Sequence, residues 1–135
     1  MIKYFEKIQE LTIGDVVVGA HMVYGRMPTI LHVDKKKTDP QEVVRILQAV
    51  KDGNADLSTD DLTTLKQYMN NSMVGASKIL HFVAPQQYPI WDSKIFRFTY
   101  RKKPNPNRVN NAVTYLKYRE KLRALERAMF LNQEA

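Results

Sequence analysis

Lys78 and Asp92 are the two residues of this chain whose types and spacing point most directly to chemistry. Lys78 lies near the start of an apolar segment that predicts a helix running to Val83. That helix rises about 7 to 8 Å between Lys78 and Val83, and the nine residues from Ala84 to Asp92 can span this distance back. An amine and a carboxylate at one end of a helix can act as a nucleophile and as a group that stabilises a developing cation.

Each of these two residues also has a simpler interpretation. Most lysines on helices are solvated, although the apolar neighbours Ile79 and Leu80 favour the neutral amine, which is the nucleophilic form of Lys78. Asp92 precedes Ser93 and could cap the N-terminus of a helix that begins there, a common role for aspartate. One carboxylate can serve both roles, so the sequence leaves both open.

The segment NNSMVG, residues 70–75, joins two predicted helices and is typical of a helix-hairpin-helix unit. In such a unit the backbone N–H groups at the start of the second helix, together with the helix dipole, favour a phosphate. We expect Gly75 to lie where the second helix begins. A plain hairpin of two helices has the same pattern, because a single glycine is common in such turns.

Helical patterns cover most of the chain and predict a mostly α protein. We expect one domain, residues 1–135, built as a compact multi-helix bundle that contains the hairpin unit and a long C-terminal helix. Asp39 and Ser58 are typical helix N-caps. Residues 15–24 also fit a strand, but few other segments offer strand partners. The predicted helices cover residues 2–11, 15–24, 40–53, 58–69, 75–83 and 107–130.

Positive charge is concentrated in the C-terminal part of the chain. The net charge is +7, and residues 101–135 hold nine Lys/Arg against three Glu. A concentrated basic surface suits a polyanion, and nucleic acid is the commonest one inside cells. A solvated basic helix that keeps the protein soluble is the alternative. The strongest phosphate-binding cluster consists of Arg101, Lys102, Lys103 and Arg108.

Composition argues against several other classes of protein. The chain has no cysteine, and its three histidines are scattered, so we expect no metal site. No apolar run approaches the length of a membrane span, and the N-terminus lacks the core of a signal peptide. We therefore expect a cytoplasmic protein with no membrane partner.

The order of hairpin, Gly75, Lys78 and then Pro89-Ile90-Trp91-Asp92 resembles the helix-hairpin-helix DNA glycosylases. The resemblance covers residues 62–95 and is greatest to the branch with the 8-oxoguanine glycosylase-like fold, of which this chain would be a short, divergent member. It implies an all-helical fold without a cofactor. It also implies that Lys78 attacks C1′ of a flipped nucleoside to form a Schiff base, that Asp92 assists departure of the base, and that Gly75 and the hairpin hold the DNA backbone.

The resulting hypothesis is a protein that binds double-stranded DNA and cleaves the N-glycosidic bond of a flipped, modified or damaged base, after which a β-lyase step can follow. His81 could bond a phosphate or a buried carbonyl, and Trp91 could stack on a base or lie in the core. The alternatives are a non-catalytic nucleic-acid-binding module and a protein-interaction factor in phage–host conflict whose basic helix meets an acidic partner. The predicted nucleic-acid contacts are Gly75, Ser77, His81, Arg26, Trp91, Arg101, Lys102, Lys103 and Arg108.

Overall fold

The computed structural model describes residues 2–25, 39–53 and 56–134, and every regular element within these ranges is an α-helix. The prediction of a mostly α fold is confirmed, and residues 15–24, whose valines also fitted a strand, are helical. Within the described chain, no helix has both the length and the apolarity needed to cross a bilayer. In chain order the helices are α1 (Ile2–Glu6), α2 (Ile13–Tyr24), α3 (Pro40–Lys51), α4 (Thr59–Tyr68), α5 (Met73–Val83), α6 (Ser93–Tyr100), α7 (Pro106–Val109) and α8 (Ala112–Glu134).

Helix α5 lies at the centre of the fold and contacts α1, α2, α3 and α4. Its sequence is apolar on most sides, as expected for a helix surrounded by others. Two glycines allow close approach between helices, Gly75 between α5 and α2 and Gly19 between α2 and α1. A Cβ atom on Gly75 would lie 2.7 Å from the Tyr24 hydroxyl, and one on Gly19 would lie 2.6 Å from the Phe5 ring. Both positions therefore depend on the missing side chain rather than on backbone freedom.

Side chains cap the N-termini of the five consecutive helices α2 to α6. Asp39 and Ser58 cap α3 and α4 as the sequence predicted, and Thr12 forms a capping box with Asp15 at the start of α2. Helix α5 begins at Met73, two residues before the expected position, because the Ser72 hydroxyl accepts the N–H of Gly75 at 3.1 Å. Gly75 is therefore inside the first turn of α5. The fifth cap is Asp92, which begins α6.

Two asparagines shape the turn between α4 and α5. Asn70 and Asn71 both adopt left-handed backbone conformations, with φ angles of 56° and 55°, and asparagine tolerates this region better than most residues. The turn is held from outside by Asn110, whose amide donates to the Asn71 carbonyl and accepts the Met73 N–H, each at 2.7 Å. The two consecutive helices and their short turn are thus packed against the C-terminal part of the chain.

The predicted C-terminal helix is divided into α7 and α8 at Asn110 and Asn111. Asn110 bonds the α4–α5 turn, and the Asn111 side chain accepts the Thr114 N–H at 3.1 Å. Asparagine side chains compete with helical backbone bonds in this way, which explains the interruption. Helix α8 packs against α4 and α7, whereas its residues 124–129 are all exposed.

Candidate functional site

Ser77 and Trp91 form the contact that organises the candidate site. The Ser77 hydroxyl accepts the Trp91 backbone N–H at 3.0 Å and donates to the Val74 carbonyl at 2.8 Å. Both residues are fully buried. Because Lys78 follows Ser77 and Asp92 follows Trp91, these hydrogen bonds hold the backbones of both catalytic candidates beside the middle of α5, five residues after its start at Met73.

Residues 84–92 form the return segment, which connects α5 to α6. Helix α8 and the end of α7 hold this segment in place. Tyr115 donates its hydroxyl to the Pro89 carbonyl at 2.9 Å, and the Trp91 indole N–H donates to the Val109 carbonyl at 2.7 Å. The Arg119 Nε donates to the Gln87 carbonyl at 2.7 Å. These bonds satisfy carbonyl groups that a non-helical buried segment would otherwise leave without donors.

Arg119 has a structural role that the distribution of charged residues along the sequence does not predict. Its side chain is only 3% exposed, although it belongs to the basic C-terminal part of the chain. Its guanidinium lies 4.2 Å from the centre of the Tyr88 ring, which is fully buried. Burial raises the pKa of the Tyr88 hydroxyl, while the Leu57 N–H and the charge of Arg119 act in the opposite direction. Arg119 therefore supports the return segment from inside the fold.

The side chains of Lys78 and Asp92 are both half-buried, and they form no ion pair with each other. Within the residues that the structure describes, the Lys78 ammonium has no hydrogen-bond or ion-pair partner. The Asp92 carboxylate accepts the Ile95 N–H at 2.8 Å, so the capping role is present. Burial raises the pKa of the nearby Tyr118 hydroxyl, and the Asp92 carboxylate raises it further.

Four residues predicted to contact nucleic acid instead form internal contacts. Gly75, Ser77 and Trp91 are buried, and Trp91 is surrounded by four aromatic rings. His81 is half-buried, and its Nδ1 lies 2.9 Å from the Tyr88 carbonyl, so Nδ1 carries the proton in this contact. Of the two roles open to His81, the structure places it against the carbonyl. Arg26 lies outside the described residues.

The predicted basic cluster does lie at the surface. Arg101, Lys102, Lys103 and Arg108 are exposed in and beside the turn between α6 and α7. The turn is ordered locally: Arg101 ends α6 in a left-handed conformation with φ 51°, and Arg108 donates to the Lys103 carbonyl at 3.1 Å.

Helix α6 forms part of a surface groove that was not predicted from the sequence. A groove of about 500 Å³ begins at Ser93, directly after Asp92, and is also lined by Lys94, Arg97, Phe98 and Pro104. Phe98 is 87% exposed. In the sequence, Lys94, Arg97 and Arg101 have helical spacing and flank the aromatic Phe98. This pattern predicts a cationic helix face that includes an aromatic side chain.

Comparisons with protein-family models, with curated proteins and with solved structures found no match for this chain. Among the described residues, no group of three or more potential metal ligands comes together.

Proposed function

We propose that the chain binds DNA and cleaves the N-glycosidic bond of a flipped base, with Lys78 as nucleophile and Asp92 as the assisting carboxylate. The observation that carries this proposal is the hydrogen bond between the buried residues Ser77 and Trp91, which holds the backbones of the neighbouring Lys78 and Asp92 together beside the middle of α5. The unpartnered Lys78 ammonium and the cationic groove beginning at Ser93 support it.

In the proposed reaction the lone pair of the neutral Lys78 amine forms a bond to C1′ of the nucleotide. The electrons of the N-glycosidic bond leave with the base, which takes up a proton. Loss of the amine proton and opening of the sugar ring then give an imine between Nζ and C1′. The Asp92 carboxylate stabilises positive charge on the sugar while the base departs.

Binding of the duplex is assigned to the exposed cations of α6 and of the turn that follows it. Lys94 and Arg97 line the groove next to Asp92, and Lys102, Lys103 and Arg108 extend the positive surface from there. Each phosphate contact releases counterions, so affinity falls steeply as salt concentration rises. A flipped base also costs unstacking energy, which is lowest at damaged or abasic positions.

Borohydride trapping on duplexes with a modified base or an abasic site tests the catalytic proposal. We expect wild type to form a covalent adduct and Lys78→Gln to form none, with Lys7→Gln as the control because Lys7 is exposed in a different part of the chain. Asp92→Asn keeps a good helix cap while removing the charge. It should slow base release from the modified duplex but still form an adduct with a preformed abasic site.

The catalytic proposal fails if wild type binds the duplex and gives no adduct. The second candidate, a non-catalytic nucleic-acid-binding module, is favoured by one observation: the Asp92 carboxylate already accepts the Ile95 N–H as the cap of α6, a structural role that needs no reaction. It predicts salt-dependent binding that Lys78→Gln and Asp92→Asn leave unchanged and that Arg108→Glu weakens.

A further inference from the structure

A second groove lies between α6 and α8 and has a different character from the groove beside Asp92. It measures about 530 Å³, within the range of about 300–1,000 Å³ typical of ligand pockets. Its aliphatic and aromatic lining comes from Ile95, Phe98, Tyr118, Leu122 and Leu125. Lys94 and Phe98 line both grooves, so the Phe98 ring stands between the two.

Several exposed apolar side chains lie in this groove or follow it along α8. Phe98 is 87% exposed, Leu125 is 58% exposed and Met129 is 61% exposed. Leu122, Leu125 and Met129 follow the helical spacing i, i+3 and i+7 along the part of α8 that extends beyond the core. A contiguous apolar stripe of this kind marks an interaction surface.

Cations surround this groove. Lys94, Arg101 and Lys121 line it, and the described lining residues include no carboxylate. The Lys121 ammonium is held 4.4 Å from the centre of the Tyr100 ring, which positions its charge beside the apolar floor. An occupant must therefore combine apolar side chains with negative charge.

We propose that the groove between α6 and α8 binds an acidic amphipathic helix of another protein. Leucines of such a helix would enter between Phe98 and Leu125, and its flanking glutamates would meet Lys94, Arg101 and Lys121. The proposal is independent of the reaction assigned to Lys78 and Asp92, because neither residue lines the groove.

Two other occupants fit the groove less well. Nucleic-acid bases stack on aromatic faces, whereas three of the five aliphatic and aromatic lining residues, Ile95, Leu122 and Leu125, are aliphatic, against the aromatic Phe98 and Tyr118. A second copy of this chain would bring like charges together, since the chain carries a net charge of +7 and the groove is bordered by cations.

The test uses the full chain and a fluorescent helical peptide with leucines at i, i+3 and i+7 and glutamates at the flanking positions. Controls are a peptide of the same composition in scrambled order and a short thymidine oligonucleotide. Fluorescence anisotropy should show binding of the amphipathic peptide well above that of the scrambled one. Phe98→Ala should weaken the binding by about tenfold or more, as expected for a central aromatic anchor.

Matched variants separate the groove from general surface effects. Val113→Ala removes an exposed apolar side chain of α8 outside the groove, and it should leave peptide affinity unchanged. Lys121→Glu should weaken binding more than Lys117→Glu, because Lys117 is exposed one turn earlier and does not line the groove.

Three results would overturn the proposal. Equal affinities for the amphipathic and the scrambled peptide would show that the groove is not a binding site for an amphipathic helix. Binding of the oligonucleotide alone, lost in Phe98→Ala, would assign the groove to nucleic acid. A concentration-dependent dimer in light scattering, lost in Phe98→Ala, would assign it to a second copy of the chain.

Discussion

The hydroxyl of Ser77 accepts the backbone N–H of Trp91 at 3.0 Å, joining the first half of α5 to the residue before Asp92. Both residues have no exposed surface, so water cannot replace either hydrogen-bond partner. The relative positions of Lys78 and Asp92 therefore depend on a serine and a tryptophan that themselves take no part in the proposed reaction.

We expect Ser77→Ala to destabilise the fold by about 1–2 kcal/mol. Leaving the buried Trp91 N–H without an acceptor costs about 1–3 kcal/mol, and the better helix preference of alanine offsets only about 0.5 kcal/mol of this loss. Urea denaturation followed by circular dichroism measures the difference. Ser93→Ala is the control, because Ser93 is exposed, and it should change stability by less than about 0.5 kcal/mol. Equal stabilities of the two variants would contradict the assigned role of Ser77.

Gly75→Ala should destabilise the protein although alanine is the better helix former. The helix preference of alanine contributes about 1 kcal/mol in its favour, but the new Cβ would lie 2.7 Å from the Tyr24 hydroxyl. That hydroxyl is buried and donates to the Met69 carbonyl at 2.7 Å, so it cannot move freely. Overpacking of this kind costs about 1–3 kcal/mol, and we expect a net loss of about 1–2 kcal/mol in thermal or urea unfolding.

Two further variants check the cause of this loss. Gly14→Ala should stabilise the protein by up to about 1 kcal/mol, because the nearest atom to its new Cβ, the Thr12 hydroxyl oxygen, lies at an ordinary 3.5 Å. Combining Gly75→Ala with Tyr24→Phe removes the closest contact, so the double variant should lose less stability than the sum of the single variants. Strict additivity would show that the Tyr24 contact is not the cause.

Arg119→Ala should be far more damaging than Asp56→Asn, although the two residues form an ion pair at 3.6 Å. Asp56 is 89% exposed, so water and salt screen its charge, and an ion pair at the surface contributes only about 0–1 kcal/mol. Arg119 is buried, bonds the Gln87 carbonyl and lies against the Tyr88 ring, so its loss should cost about 2–4 kcal/mol. Urea denaturation of both variants makes the comparison, and similar losses would mean that the ion pair is the main contribution.

Local signals in the sequence were sufficient for most of the helices. Asp39 followed by Pro40 predicted the start of α3, and Ser58 predicted the start of α4, because a cap acts on N–H groups only two or three residues away. The predicted start of α5 at Gly75 was two residues too late, because the residue that caps this helix is Ser72. The break at Asn110 and Asn111 was missed although Asn111 caps α8 through a local bond to the Thr114 N–H, and the bonds from Asn110 to the distant α4–α5 turn are not visible in a local pattern.

The sequence alone determined the helical class, the basic C-terminal part and the candidate pair Lys78 and Asp92, since these follow from composition and from interactions between near neighbours. Only the tertiary structure decided which side chains are buried and which are exposed. It placed Trp91 among four aromatic rings, buried Arg119 under the return segment, and left Phe98 at the surface between two grooves. The physical reason is that burial depends on how helices distant in sequence pack together, and that packing also sets which polar groups find partners.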